Sequence, residues 1–224
     1  MAVQKPQKAD SVLLSILKKP VWLLSWLAAS LLVSILIEWT GLLVWWREEG
    51  AMHSETILRQ EMGYLASSFG GQIMHLPTPA EIGIPLMNQL YYALFEWTGI
   101  HDFLISISAA EFVGEASLAT LNTVQVFVVR LTLIVLSLPL FLLAFVWGFG
   151  EGLIRRELRK YGGDIERGFW YHHLKKWSAA VFVLPLIVYL TLPIAMNPAY
   201  LFLPFAATFA LLIMGTSALF IKNA

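Results

Sequence analysis

The chain has 224 residues, of which 58% are hydrophobic and 13% charged, and its mean hydropathy is +0.70. A soluble protein of this size must cover its surface with polar groups, so the composition excludes one and specifies an integral membrane protein. Fifteen basic residues balance fifteen acidic ones and cysteine is absent, which removes any whole-molecule bias toward nucleic acid and excludes disulfides, thiolate metal sites and cysteine nucleophiles.

The predicted architecture is all-α, with four transmembrane helices and a helical exported segment between the first and second. Residues 1–20 form a cytoplasmic N-terminus. The first span, 21–46, is interrupted only by Glu38 and Thr40 and is longer than a cleavable signal sequence, so it reads as an uncleaved signal anchor. The second span covers 123–148 and contains Arg130 near its start. A basic loop fills 149–177, and spans 178–196 and 200–221 form a tight hairpin around Asn197-Pro198. Pro139, Pro185, Pro193 and Pro204 lie in or near spans, where kinks are expected.

Orientation follows from Lys and Arg. Lys5, Lys8, Lys18, Lys19, Lys222 and the seven bases of the 149–177 loop share one side, whereas 47–122 holds nine acids and only Arg47 and Arg59 as bases. The positive-inside rule therefore places both termini and the basic loop in the cytoplasm, and 47–122 outside. Within that segment Leu58, Met62, Leu65, Phe69, Ile73 and Leu76 recur at helical spacing, with Glu55, Arg59, Glu61 and Ser68 off the stripe. This predicts an amphipathic helix, loosened at Gly70-Gly71 and ended by Pro77 and Pro79. A second helix, from Pro85 to Thr98, is too short to span. It either lies along the interface or packs on the first. The mixed stretch 100–122 continues helically into the second span.

Glu38 and Arg130 are the ionisable groups inside apolar runs, at similar depth. They either pair with one another or snorkel separately to the outer leaflet; a transport pathway would need further acids in the other spans, and none is present. In the basic loop, Arg155, Arg156, Arg159 and Lys160 form one helical face, and Glu151 stands four residues before Arg155. Adjacent histidines point about 100° apart on a helix, so His172 and His173 make a poor metal pair. The loop's bases and aromatics suit anionic headgroups and the membrane interface as well as they suit nucleic acid, so direct nucleic-acid binding is disfavoured. "GFGEG" at 148–152 reads as close helix packing. No catalytic constellation or cofactor fingerprint is present, and the chain is expected not to be an enzyme.

Topology requires positive charge in this loop but does not dictate its order, "EGLIRRELRKYGGDIERGFWYHHLKKW". Glu151, Gly152, Arg155, Arg156, Glu157, Leu158, Arg159, Gly163, Tyr171, His172, His173 and Lys175 carry a pattern that resembles the integrating conjugative element inner-membrane protein family. The likeness covers about residues 130–224 and departs at "DIERGFW", where the acid precedes the arginine. The resemblance implies an accessory or scaffold subunit of a conjugative DNA-transfer, type IV secretion apparatus. Such a subunit would form a hetero-oligomer among membrane lipids, packed on the anchor of the coupling ATPase. Glu151, Arg155, Arg156, Arg159, Lys160, Tyr171, His172, His173 and Lys175 would bind that partner. Small residues such as Ser30 and Ser34, or Ala206 and Ala210, would allow helices to approach closely. A small transporter or channel subunit and an exclusion or immunity factor are the alternatives.

Overall fold

The computed structural model describes residues 9–67, 79–108, 114–162 and 168–219, and these form an all-helical bundle. In chain order the helices are α1 (Ala9–Val44), α2 (Met52–Ser67), α3 (Pro79–Tyr91), α4 (Ile100–Ser108), α5 (Gly114–Gly162), α6 (Gly168–Thr191) and α7 (Pro198–Ala218). A π-helical turn, Tyr92–Glu96, prolongs α3, and Gly99 with φ +73° closes it. Four of these helices, α1, α5, α6 and α7, are long and apolar enough to cross a membrane.

Local chemistry fixes where the last two spans meet. The third ends at Thr191, five residues short of the expected Met196, because Leu192 precedes Pro193 and is pushed out of the α region. The fourth starts as its turn signal predicts: Asn197 accepts a hydrogen bond from the Ala199 amide at 3.0 Å, with Pro198 in the first helical position.

Helix α5 is the axis of the bundle and touches every other helix. Its Phe127, Val129, Leu133, Ile134 and Phe141 form the main core with Leu65 of α2, Tyr189 and Leu190 of α6, and Phe202 and Ala206 of α7. At 49 residues it is about 73 Å long, more than twice the hydrocarbon thickness of a bilayer. It therefore carries the second span and also much of the sequence expected as a loop, through Arg155, Arg156 and Arg159. That end of the bundle is termed the basic end.

Helices α5 and α7 run parallel in close contact. A Cβ at Gly148 would collide with the Ala210 carbonyl, and one at Gly152 would lie 2.6 Å from the Met214 carbonyl. The glycines are thus the condition for the two backbones to touch, and Ala206 and Ala210 sit buried on the facing helix.

The segment between the first two spans packs onto α5 as an antiparallel pair. Along α2, Ser54 meets Asn122 at 3.2 Å, Glu61 meets Arg130, and Leu65 joins the core. On the return, a Cβ at Gly83 of α3 would stand 3.1 Å from Leu136, Met87 packs near Val128, and Phe95 near Val124. From Asn122 to Leu136 is a rise of about 21 Å along α5, so the pair reaches alongside the unbroken apolar run. The two helices begin earlier than predicted. The predicted break at Gly70-Gly71 and the stripe residues Phe69, Ile73 and Leu76 lie outside the described residues.

The glycine contacts generate a direct test. Gly148→Leu and Gly152→Leu should each destabilise the detergent-solubilised protein by about 1–3 kcal/mol or more, the cost of overpacking. Gly150→Ala, whose Cβ meets nothing within 4 Å, should instead stabilise by about 0.5–1 kcal/mol through helix propensity. Thermal midpoints of the three proteins give the comparison, and equal shifts would refute the α5–α7 geometry.

Candidate functional site

The buried charge centre joins three elements. Arg130 on α5 is 1% exposed and Glu61 on α2 is 0% exposed. Arg130 Nε donates to Glu61 Oε1 at 2.9 Å and Nη2 lies 2.9 Å from the same oxygen. Tyr189 Oη of α6 donates to Glu61 Oε2 at 2.7 Å, and the guanidinium carbon sits 5.4 Å from the Tyr189 ring centre. The remaining guanidinium face turns to the α6–α7 connection, where Nη1 donates to the Leu192 carbonyl and Nη2 donates to that of Ile194 at 2.8 Å. These are carbonyls released where α6 stops short, and no water in a bilayer would satisfy them. One side chain therefore neutralises a carboxylate and caps a broken helix end.

This overturns the candidate pair Glu38–Arg130: the counter-ion of Arg130 is Glu61. The sequence stripe placed Glu61 on the polar face of its helix. The buried face is in fact Ser54, Ile57, Glu61 and Leu65, the same period shifted by about one residue, while Met62 is 38% exposed. Glu38 does not snorkel either, since it is 4% exposed, and its Oε1 has no hydrogen-bond partner. It shares a small cavity of about 20 Å³ with Ser34, Ser54, Thr123, Arg130 and Pro193, so the expected proximity in depth is real although the ion pair is not.

Other polar contacts clamp the same end. His53 stacks on Trp46 with ring centres 4.0 Å apart, and its Nε2 lies 3.4 Å from the Pro193 carbonyl. Trp39 Nε1 donates to Thr120 Oγ1 at 2.9 Å, tying α1 to α5. At the return of α3, burial raises the Tyr91 phenol above its ordinary value, an effect that Gln125 partly offsets. Its Oη lies within hydrogen-bonding distance of His101 Nδ1, at 2.6 Å.

At the basic end, Glu151 and Arg155 form the expected i,i+4 bridge at 2.9 Å. Arg156 lines a groove with Phe145, Phe149 and Ile213. Arg159 continues the same helix, and His173 and Lys175 are exposed on α6. The side chains of Lys160, Tyr171 and His172, and the turn 163–167, lie outside the described residues. Among the described residues no three His, Asp or Glu side chains converge as metal ligands.

Glu61 and Tyr189 escaped the sequence reading, although a buried arginine beside a proline-broken helix end does require acceptors. Glu61→Gln and Arg130→Met should each cost about 3–5 kcal/mol, because each leaves the other group buried and uncompensated. Glu38→Gln should cost under about 1 kcal/mol, because it removes no observed bond from Oε1. Thermal midpoints and membrane abundance report the difference; a Glu38 variant as damaged as the Glu61 variant would restore Glu38 as the counter-ion.

Comparison with known proteins gives no match among curated proteins and none among solved structures. Among protein families, residues 45–221 match one described as "IncC plasmid conjugative DNA transfer protein DtrJ-like". The match takes in the α2–α3 pair, the buried charge centre and the basic end. It agrees with the conjugative role implied by the loop's residue order, but its description names a plasmid and not an integrating element. The chain belongs to the DtrJ-like family of conjugative DNA transfer proteins.

Proposed function

We propose that the chain is a non-enzymatic inner-membrane scaffold subunit of a conjugative type IV secretion apparatus, packed against the membrane anchor of the coupling ATPase. Both termini and the basic end would lie in the cytoplasm, since that side gathers most of the Lys and Arg. The observation that carries the proposal is the continuity of α5. One helix runs from the buried Arg130 through the apolar run to Arg159 and ends at Gly162. A partner held by the basic arm is thereby fixed in height and rotation relative to the bilayer, as a scaffold requires. The second arm, α6, carries His173, Lys175 and Lys176 back beside it. A conduction pathway through Arg130 is disfavoured, because its bonds to Glu61, Leu192 and Ile194 occupy all three guanidinium nitrogens.

Co-purification in mild detergent tests the proposal: a complex with the hexameric coupling ATPase is expected, and a lone ion-conducting homo-oligomer would sink it. Replacing Arg155, Arg156 and Arg159 by Gln should lower ATPase retention about tenfold, equivalent to about 1.4 kcal/mol. Orientation should not change, because Arg167, Lys175 and Lys176 remain. The chain is cysteine-free, so single introduced cysteines labelled from either side of the membrane report orientation without background. Unchanged retention would leave the three arginines a topological role alone.

A further inference from the structure

Glu38 is the buried acid that the Arg130 centre leaves without a role. The residue is 4% exposed, and its Oε1 is buried with no hydrogen bond. Such an oxygen is costly inside a protein unless a donor reaches it. A cavity of about 20 Å³ adjoins Glu38. It is lined also by Ser34, one turn earlier on α1, by Ser54 of α2, by Thr123 and Arg130 of α5, and by Pro193. Four segments of the chain therefore enclose one small polar space at the height of the charge centre.

The chemistry of the walls selects the occupant. Thr123 Oγ1 has given its hydrogen to the Ala119 carbonyl at 2.7 Å, and Ser54 Oγ has given its own to the Ala51 carbonyl at 2.9 Å. Both hydroxyls can therefore only accept, as can a carboxylate. None of the three serves another, so a molecule that joins them must bring hydrogens. It must also be small. One water needs about 10–15 Å³ of such space and two to four polar partners, and the cavity meets both conditions. A metal cation would also bind oxygens, but the Arg130 side chain is one of the walls, and its charge repels a second cation. Trp46 Nε1 is likewise buried and unpaired and approaches the carboxylate. Trp46 is not among the walls of the cavity, however, so it brings no hydrogen to Thr123 or Ser54.

We propose that this cavity is a binding site for one internal water molecule, which donates to Glu38 Oε1 and to the Thr123 hydroxyl. The water carries the polar network around Arg130 across to α1. At this height α1 is then held to α5 twice, by the water and by the direct bond from Trp39 Nε1 to Thr120 Oγ1 one turn away. Glu38 thereby acts as an acceptor in a hydrated contact, with Arg130 left wholly to Glu61 and the carbonyls after α6.

An experimental structure of the full-length protein in lipid, at a resolution that shows buried waters, tests the site directly. One isolated peak is expected about 2.7–3.0 Å from both Glu38 Oε1 and Thr123 Oγ1. No peak in the cavity, with Glu38 bonded directly to Thr123 or to Trp46, overturns the proposal. So does a peak present in sodium chloride and lost in choline chloride, which makes the occupant a cation. Thermal midpoints in detergent give a second measurement. Ser34→Val puts methyl groups into the cavity and should lower the midpoint by about 3–6 °C, because it dehydrates the carboxylate. In a Glu38→Met background, which has no carboxylate to dehydrate, the same substitution should cost less than half as much. Equal falls in the two backgrounds would reduce the effect of Ser34→Val to overpacking and overturn the water site.

Discussion

The architecture depends on how Arg130 is satisfied. An arginine at 1% exposure within an apolar helix needs an anion and enough acceptors for a planar fork of donors. The fold supplies the anion from α2 and the acceptors from a helix that stops short at Pro193. It follows that α2 must lie along α5, that α6 must end where it does, and that Tyr189 must hold the second oxygen of Glu61. The three helices are bound by the geometry of one side chain. Apolar packing in a bilayer distinguishes poorly between alternative helix arrangements, because lipid is as apolar as leucine. A bonded charge specifies which helices meet and at what height.

With that end clamped, α5 becomes a lever of fixed direction. Its opposite end is secured differently, by Gly148 and Gly152 against the backbone of α7. Between them the two contacts remove the freedom of the longest helix to tilt or rotate independently, so the position of the basic arm is set by the bundle. A loop of the same composition could hold the same charge but could not present it at a defined angle.

The sequence made the membrane class, the four spans, the Asn197-Pro198 hairpin and the Glu151–Arg155 bridge legible, because each depends on length, composition or near neighbours. It also marked 148–152 as a packing site. What stayed hidden was long-range. Hydrophobic periodicity assigns a helix face by the majority of its residues, so a glutamate at the centre of the buried face of α2 was assigned to water. The depth argument brought Glu38 and Arg130 to the same cavity correctly, but depth alone cannot choose between two acids. That choice falls to Glu61 through the descent of α2 along α5, which an apolar stripe with polar flanks does not announce. The basic segment was read as a loop because charge ended the span, whereas helix propensity in "EGLIRRELRK" carries α5 onward to Gly162.

The two ends of the molecule divide the work between stability and recognition. Around Arg130, charge is buried, bonded and shared by several elements, so it specifies the fold and offers little to a partner. Around Arg155 the charge sits on a protruding helical arm, and apolar side chains lie exposed on the other face of the same helix. A polar interior and an apolar exterior invert the usual distribution at the two positions, and each inversion has a cost that something must offset. For Glu61 and Arg130 the offset is internal and visible in the bonds. For Ile154, Leu158 and Tyr161 nothing among the described residues supplies it, and all three stand exposed.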